Sequence, residues 1–158
     1  MPRLTHLDSR GKARMVDVSE KRSTSREAVA KGIIHMQPAT YKLLKRGEVA
    51  KGDALTVAQI AGIMGAKQTP HLIPLCHPLL LSNIKVEFTL NDKDSSVEIT
   101  ATVKNSGQTG VEMEAMTAVA VSALTIYDMC KGVDRGMRID AVRMVRKSGG
   151  KSGNIELP

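Results

Sequence analysis

Aromatic side chains are almost missing from this chain: there is no tryptophan, and Phe88, Tyr41 and Tyr127 are the only aromatics. Single-stranded nucleic acids are gripped largely by stacking bases on aromatic platforms, so this scarcity argues against an RNA- or DNA-binding module. Cysteine is nearly as rare. Cys76 and Cys130 make neither a disulfide framework nor a zinc-type spacing, which suits a reducing compartment. No stretch approaches the ~18 unbroken apolar residues of a membrane span. The opening MPRLTHLDSRGKARM is polar and lacks the apolar centre of a signal peptide. The expectation is a cytoplasmic protein with neither membrane nor nucleic acid among its partners.

Positive charge is what the chain has in excess: 23 Lys+Arg against 16 Asp+Glu, a formal net charge of +7. Such a balance favours anionic partners, and with so few aromatics a small polyphosphate fits better than a nucleic acid. A length of 158 residues suits a single domain, 1–158. The N-terminal ~20 residues and the Gly/Ser/Lys segment 147–158 are expected to lie outside its core and to move unless a ligand orders them.

The clearest local pattern is IKVEFTLNDKDSSVEITATV. Ile84, Val86, Phe88 and Leu90 alternate with polar neighbours, as do Val97, Ile99, Ala101 and Val103, around a turn-rich NDKDSS. This predicts a β-hairpin with one buried face. Next, TGVEMEAMTAVAVSALTIYDMCKGVD predicts a helix capped by Thr109 with Glu112 three residues on, ended near Gly132 and heavily buried, because apolar or small residues run round its circumference. MRIDAVRMVRK predicts a strand with Ile139, Val142 and Val145 buried on both sides. Upstream, GDALTVAQIAGIMGAKQTP predicts a helix capped by Asp53 and stopped before Pro70. PATYKLLKRG predicts a shorter helix with Pro38 in its first turn and Gly47 past its end, and REAVAKGIIHM a strand. The order is βαββαβ, the α+β ferredoxin-like arrangement of an antiparallel sheet with helices packed on one face.

Several short motifs could carry chemistry. In LIPLCHPLLL, Pro74 and Pro78 rule out a regular helix or central strand and hold Cys76 and His77 rigidly between them. The pair could be metal ligands, a nucleophile with its base, or a binding wall. Zinc would need three or four converging ligands, and His6, His35 and His71 are scattered, so no metal site is expected. Lys51, just ahead of a helix start, is placed to meet a phosphate, or is an ordinary solvated lysine. Asp128 and Lys131 stand three apart on one helix face, as a surface ion pair or an acid/base pair. RKSGGKSG offers Arg146, Lys147 and Lys151 among glycines and serines that could wrap a phosphate chain.

Geometry adds a constraint. Glu114 and Asp128 lie on one helix, ~21 Å apart at 1.5 Å per residue. One small-molecule pocket in one subunit cannot comfortably use both ends. If both serve one site, the ends come from different chains of a symmetric oligomer.

Taken together, KGD, LIPLCHPL, TGVEMEAM, ALTIYDMCK and KSGGKSG, with MVDVS near the start, follow the order seen in the MoaC family. The chain resembles these cyclic pyranopterin monophosphate synthases of molybdenum cofactor biosynthesis from Leu4 to about Gly153. Met116, where the family often has leucine, is a conservative departure; His71 belongs to no motif of the family. The resemblance implies conversion of 3′,8-cyclo-7,8-dihydro-GTP to cyclic pyranopterin monophosphate with release of pyrophosphate. It further implies a hexamer built as a trimer of dimers, with sites at dimer interfaces, and no required cofactor beyond Mg²⁺ that could accompany the triphosphate. Carried onto this chain, it makes Asp128 the catalytic residue, with Lys131 and Lys51 beside it. Leu75, Cys76, His77, Met113 and Glu114, with Glu112, become substrate-binding residues, and Lys147 and Arg26 serve the triphosphate.

Overall fold

The computed structural model describes residues 6–158. In chain order the elements are β1 (Thr24–His35), α1 (Pro38–Arg46), α2 (Ala54–Leu72), β2 (Leu81–Asn91), β3 (Ser96–Gly107), α3 (Glu112–Cys130), β4 (Arg138–Ser148) and a short β5 (Ile155–Glu156). The strands form one sheet in the order β2-β3-β1-β4-β5, every pair antiparallel. With α2 and α3 packed on one face, this is the expected ferredoxin-like α+β arrangement.

The core follows from period-two alternation. Ala28, Ala30, Gly32 and Ile34 of β1 face Val103, Ala101, Ile99 and Val97 of β3, and all are buried. The predicted hairpin forms, with Ile84 opposite Val103, Val86 opposite Ala101 and Phe88 opposite Ile99. Gly32 is bare for a reason: a β-carbon there would stand 2.6 Å from Val119 of α3 and 3.1 Å from Val142 of β4. Helices α2 and α3 meet through small residues, Ala58 and Gly62 against Ala118 and Ser122, and Gly65 against Val121. The Ser122 hydroxyl donates to the Ala58 carbonyl at 3.0 Å across this contact. Any β-carbon on Gly62 would collide with that hydroxyl.

Three local expectations are corrected. Helix α2 does not stop before Pro70 but passes through it to Leu72. A proline this near the end forfeits only one helical hydrogen bond, and Thr69 Oγ1 adds a bond to the Gly65 carbonyl at 3.1 Å. Helix α3 is not capped by Thr109: Val111 is the N-cap, with no side-chain cap, because Glu112 turns instead to Lys147. The helix is heavily buried, as expected: it packs against both α2 and the sheet, and only Met113, Leu124 and Asp128 are exposed along it. Finally, Ile139, Val142 and Val145 are half-buried. Their spacing of three fits no regular strand, and β4 accommodates it by register shifts against β1 and a positive φ of 52° at Ala141.

Helix α1 matches its prediction. Pro38 occupies its first turn, and Gly47, at φ 69°, donates to the Leu44 carbonyl at 3.1 Å. The segments outside the core have contacts of their own. The chain near Asp8 turns back so that Leu7 bridges Ala13, and β5 pairs Glu156 with Arg146 and Ile155 with Lys147. The sequence reading has no counterpart for β5.

Helix α3 is long and apolar enough, by composition alone, to cross a bilayer. Its packing against the sheet and α2 instead makes it the central helix of the core.

Candidate active site

The connection from α2 to β2 supplies the first wall. Pro74 sits second in a turn closed by the Cys76 amide donating to the Ile73 carbonyl at 3.2 Å, the position proline favours. That turn aims Leu75, Cys76 and His77 into a cavity of about 570 Å³. Opposite them stand Glu112, Met113 and Glu114 from the first turn of α3, and Val16, Val18 and Lys21 form a strap over one side. His77 Nε2 lies 2.7 Å from the Val16 carbonyl. A carbonyl can only accept, so Nε2 carries the proton and Nδ1 is left for other work.

Glu114 is the unusual group. It is 1% exposed, accepts from the Cys76 thiol at 3.7 Å through Oε1, and has no partner at Oε2. Burial pushes its carboxyl above the ordinary glutamate range, although the Cys76 thiol works the other way. A buried carboxylate with a spare oxygen, lining a cavity, suits a ligand that presents N–H donors. Cys76 is pushed up to about 11, first by burial and then by Glu114. It is therefore a neutral thiol near pH 7, unlike an activated nucleophile.

A second cavity of about 520 Å³ adjoins the first, sharing Lys21, Thr109, Gly110 and Glu112 with it. Its walls carry Arg22, Arg26, Lys147 and Lys151 as well. Arg26 already spends two donors on the β3–α3 loop, Nε to the Gly107 carbonyl at 2.9 Å and Nη2 to that of Gln108 at 3.2 Å. It both props that loop and charges the cavity. Gly149, at φ 87°, lets the turn after β4 lie against Ser25, where any β-carbon would collide with the Ser25 carbonyl.

The remaining expected residues cluster elsewhere. At the far end of α3, Asp128 lies between Lys131 Nζ at 2.7 Å and Lys51 Nζ at 3.2 Å; Lys51 also donates to the Asp128 carbonyl at 3.0 Å. Lys131 first and Lys51 second hold the Asp128 carboxyl below the usual range, and Asp128 raises Lys131 in return. All three are about half exposed. The structure thus gathers Leu75, Cys76, His77, Glu112, Met113, Glu114, Arg26, Lys147 and Lys151 into two joined cavities, and Asp128, Lys131 and Lys51 into a separate triad. Sequence reasoning missed Val16, Val18, Lys21 and Arg22. The basic pair in SEKRS was the available signal, but it had no place until the strap folded over the site.

Among the described residues, no group of three His, Cys, Asp or Glu side chains is placed to hold a metal ion.

The α+β domain thus carries two adjoining cavities, one lined by a buried carboxylate with a free oxygen and the other rich in cations. The MoaC family model matches residues 15–150, and the chain belongs to that family. Among its relatives, a cyclic pyranopterin monophosphate synthase from Roseiflexus castenholzii is 61% identical over 155 residues, 98% of each chain. Proteins of the same name from Pelotomaculum thermopropionicum and Parvibaculum lavamentivorans are 61% and 59% identical, over 92% and 96% of their lengths and 99% and 98% of this one.

Proposed function

We infer that this chain is a lyase of molybdenum cofactor biosynthesis, a cyclic pyranopterin monophosphate synthase acting on 3′,8-cyclo-7,8-dihydro-GTP and releasing pyrophosphate. The observation that carries the reading is the joined pair of cavities, one ending on Glu114 and the other lined by five cations, Lys21, Arg22, Arg26, Lys147 and Lys151. In this reading Glu114 accepts the N–H groups of the guanine-like edge, with Glu112 beside it, and Leu75, Cys76, His77 and Met113 form the wall on which the rings rest. Arg26, Lys147 and Lys151 hold the triphosphate. The proposal assigns no resident cofactor, and Mg²⁺ is free to arrive on the triphosphate as part of the substrate.

The chemistry opens one ring, builds another and closes a cyclic phosphate, so protons must be moved repeatedly. Asp128, held ionised by two ammonium groups, acts as the base. Lys131 returns protons, and Lys51 neutralises charge developing on the leaving diphosphate.

The triad is ~21 Å along α3 from Glu114, so the site is completed by the triad of a second copy. Support for such an assembly comes from α2. It turns its small residues inward and leaves Val57, Ile60, Met64 and Leu72 exposed. Large apolar side chains left outside while small ones are buried mark a docking face, here for another copy of this chain. We take the assembly to be a hexamer of three dimers working in the cytoplasm.

The test is a coupled assay containing GTP, the upstream radical enzyme and this protein, read as pyrophosphate and as the fluorescent oxidised pterin. Product that depends on this chain is expected. A folded, oligomeric sample that yields none would end the reading. A gel shift with single-stranded RNA at physiological salt addresses the other class with this strand order, the RNA-recognition domains. Their central strands carry exposed aromatics, which VEITATVKN lacks, so no shift is expected.

A further inference from the structure

Glu112 is out of place for a phosphate site. It is the only acidic side chain lining the cationic cavity, among Lys21, Arg22, Arg26, Lys147 and Lys151. It is not there to cap α3, whose N-cap makes no side-chain bond. Its carboxylate lies over the bare backbone of Gly110, where any β-carbon would displace it, and its Oε1 meets Lys147 Nζ at 2.5 Å. Both partners are largely shielded, their side chains 23% and 28% exposed, so solvent screens the pair only partly. Lys147 is therefore already neutralised before any phosphate arrives.

A cavity with five cations and no acid would hold a released diphosphate firmly and leave slowly. One carboxylate in contact with one of those cations changes that balance. An entering phosphate oxygen must take Lys147 from Glu112 and then sit beside a like charge; a departing diphosphate returns the lysine to it.

We propose that Glu112 is a resident counter-anion that weakens the grip of the cationic cavity on diphosphate by competing for Lys147. The identity of the anion as pyrophosphate rests on the proposed lyase reading; the competition itself does not. Glu112 is here a positioning residue acting through Lys147.

Calorimetric titration of inorganic pyrophosphate into the full-length protein, in chelator and at low ionic strength, tests it without any turnover. Glu112→Gln is expected to bind pyrophosphate ~10-fold more tightly than the starting protein, and Lys147→Ala more weakly. In the Lys147→Ala background, Glu112→Gln should lose most of its gain. Glu112→Ala removes the same charge and serves as the second variant. Glu112 variants that are folded but bind pyrophosphate no more tightly than the parent would overturn the proposal, as would an equal gain with and without Lys147. Pterin formation in the coupled assay reports on the lyase reading separately, so either idea can fail while the other stands.

Discussion

Asp128→Asn is expected to lower turnover by ~10³-fold while leaving secondary structure and assembly intact, since general acid–base groups commonly contribute ~10²- to 10⁴-fold. The substitution keeps the shape and removes the charge between Lys131 and Lys51, 2.7 and 3.2 Å away. The residual activity should also show a changed pH profile. Asp128 raises Lys131, so losing the carboxylate lets Lys131 surrender its proton at lower pH. If Lys131 is the acid, the alkaline limb of the profile moves down in pH. Near-normal turnover in a folded Asp128→Asn sample would remove the triad from the mechanism.

Glu114→Gln is expected to separate stability from function in opposite directions. Glu114 is fully buried with one free oxygen, and burial raises its carboxyl in the folded state. A raised acid favours the protonated folded form. The parent's stability is therefore undiminished below the unfolded value of ~4.3 and falls as pH rises through the folded value. Glutamine does not titrate, so the variant's relative stability should grow across that window and level off above it. The gain, read from urea midpoints at several pH values, should be larger near neutral pH than near the unfolded value. A gain independent of pH would show that ionisation of Glu114 is not its source. Catalysis should go the other way. A carboxylate accepts two N–H bonds, whereas glutamine turns one acceptor into a donor facing donors, so kcat/KM is expected to fall by ~10²- to 10³-fold.

How much of this was legible in the sequence depended on whether the deciding interaction was local. The β2–β3 hairpin alternates strictly over both strands, and each residue's face follows from the period alone. The cap of α3 was misread because Glu112 has a partner 35 residues away in Lys147, and no local pattern announces that pull. Pro70 looked like a stop, yet its place in the last turn limits the loss to one hydrogen bond. Two residues are too few for β5 to show any period. The chemistry was legible as fragments: Cys76, His77 and Glu114 belong to one cavity, and Asp128, Lys131 and Lys51 to one cluster. Lys21 and Arg22 drew no reading from the sequence because their role depends on the strap closing over both cavities.

The central claim is that one working site takes its binding cavities from one chain and its proton-transfer triad from another. Mixing Glu114→Gln with Asp128→Asn under conditions of verified subunit exchange tests it most directly. Each variant alone is crippled, but a hybrid dimer places both defects in one site and leaves the other intact. Random mixing should restore up to about a quarter of parental turnover per site, by the two-fold symmetry of such an interface. Activity that stays at the level of the separate variants, with exchange demonstrated, would show that both ends of α3 do not serve one shared site.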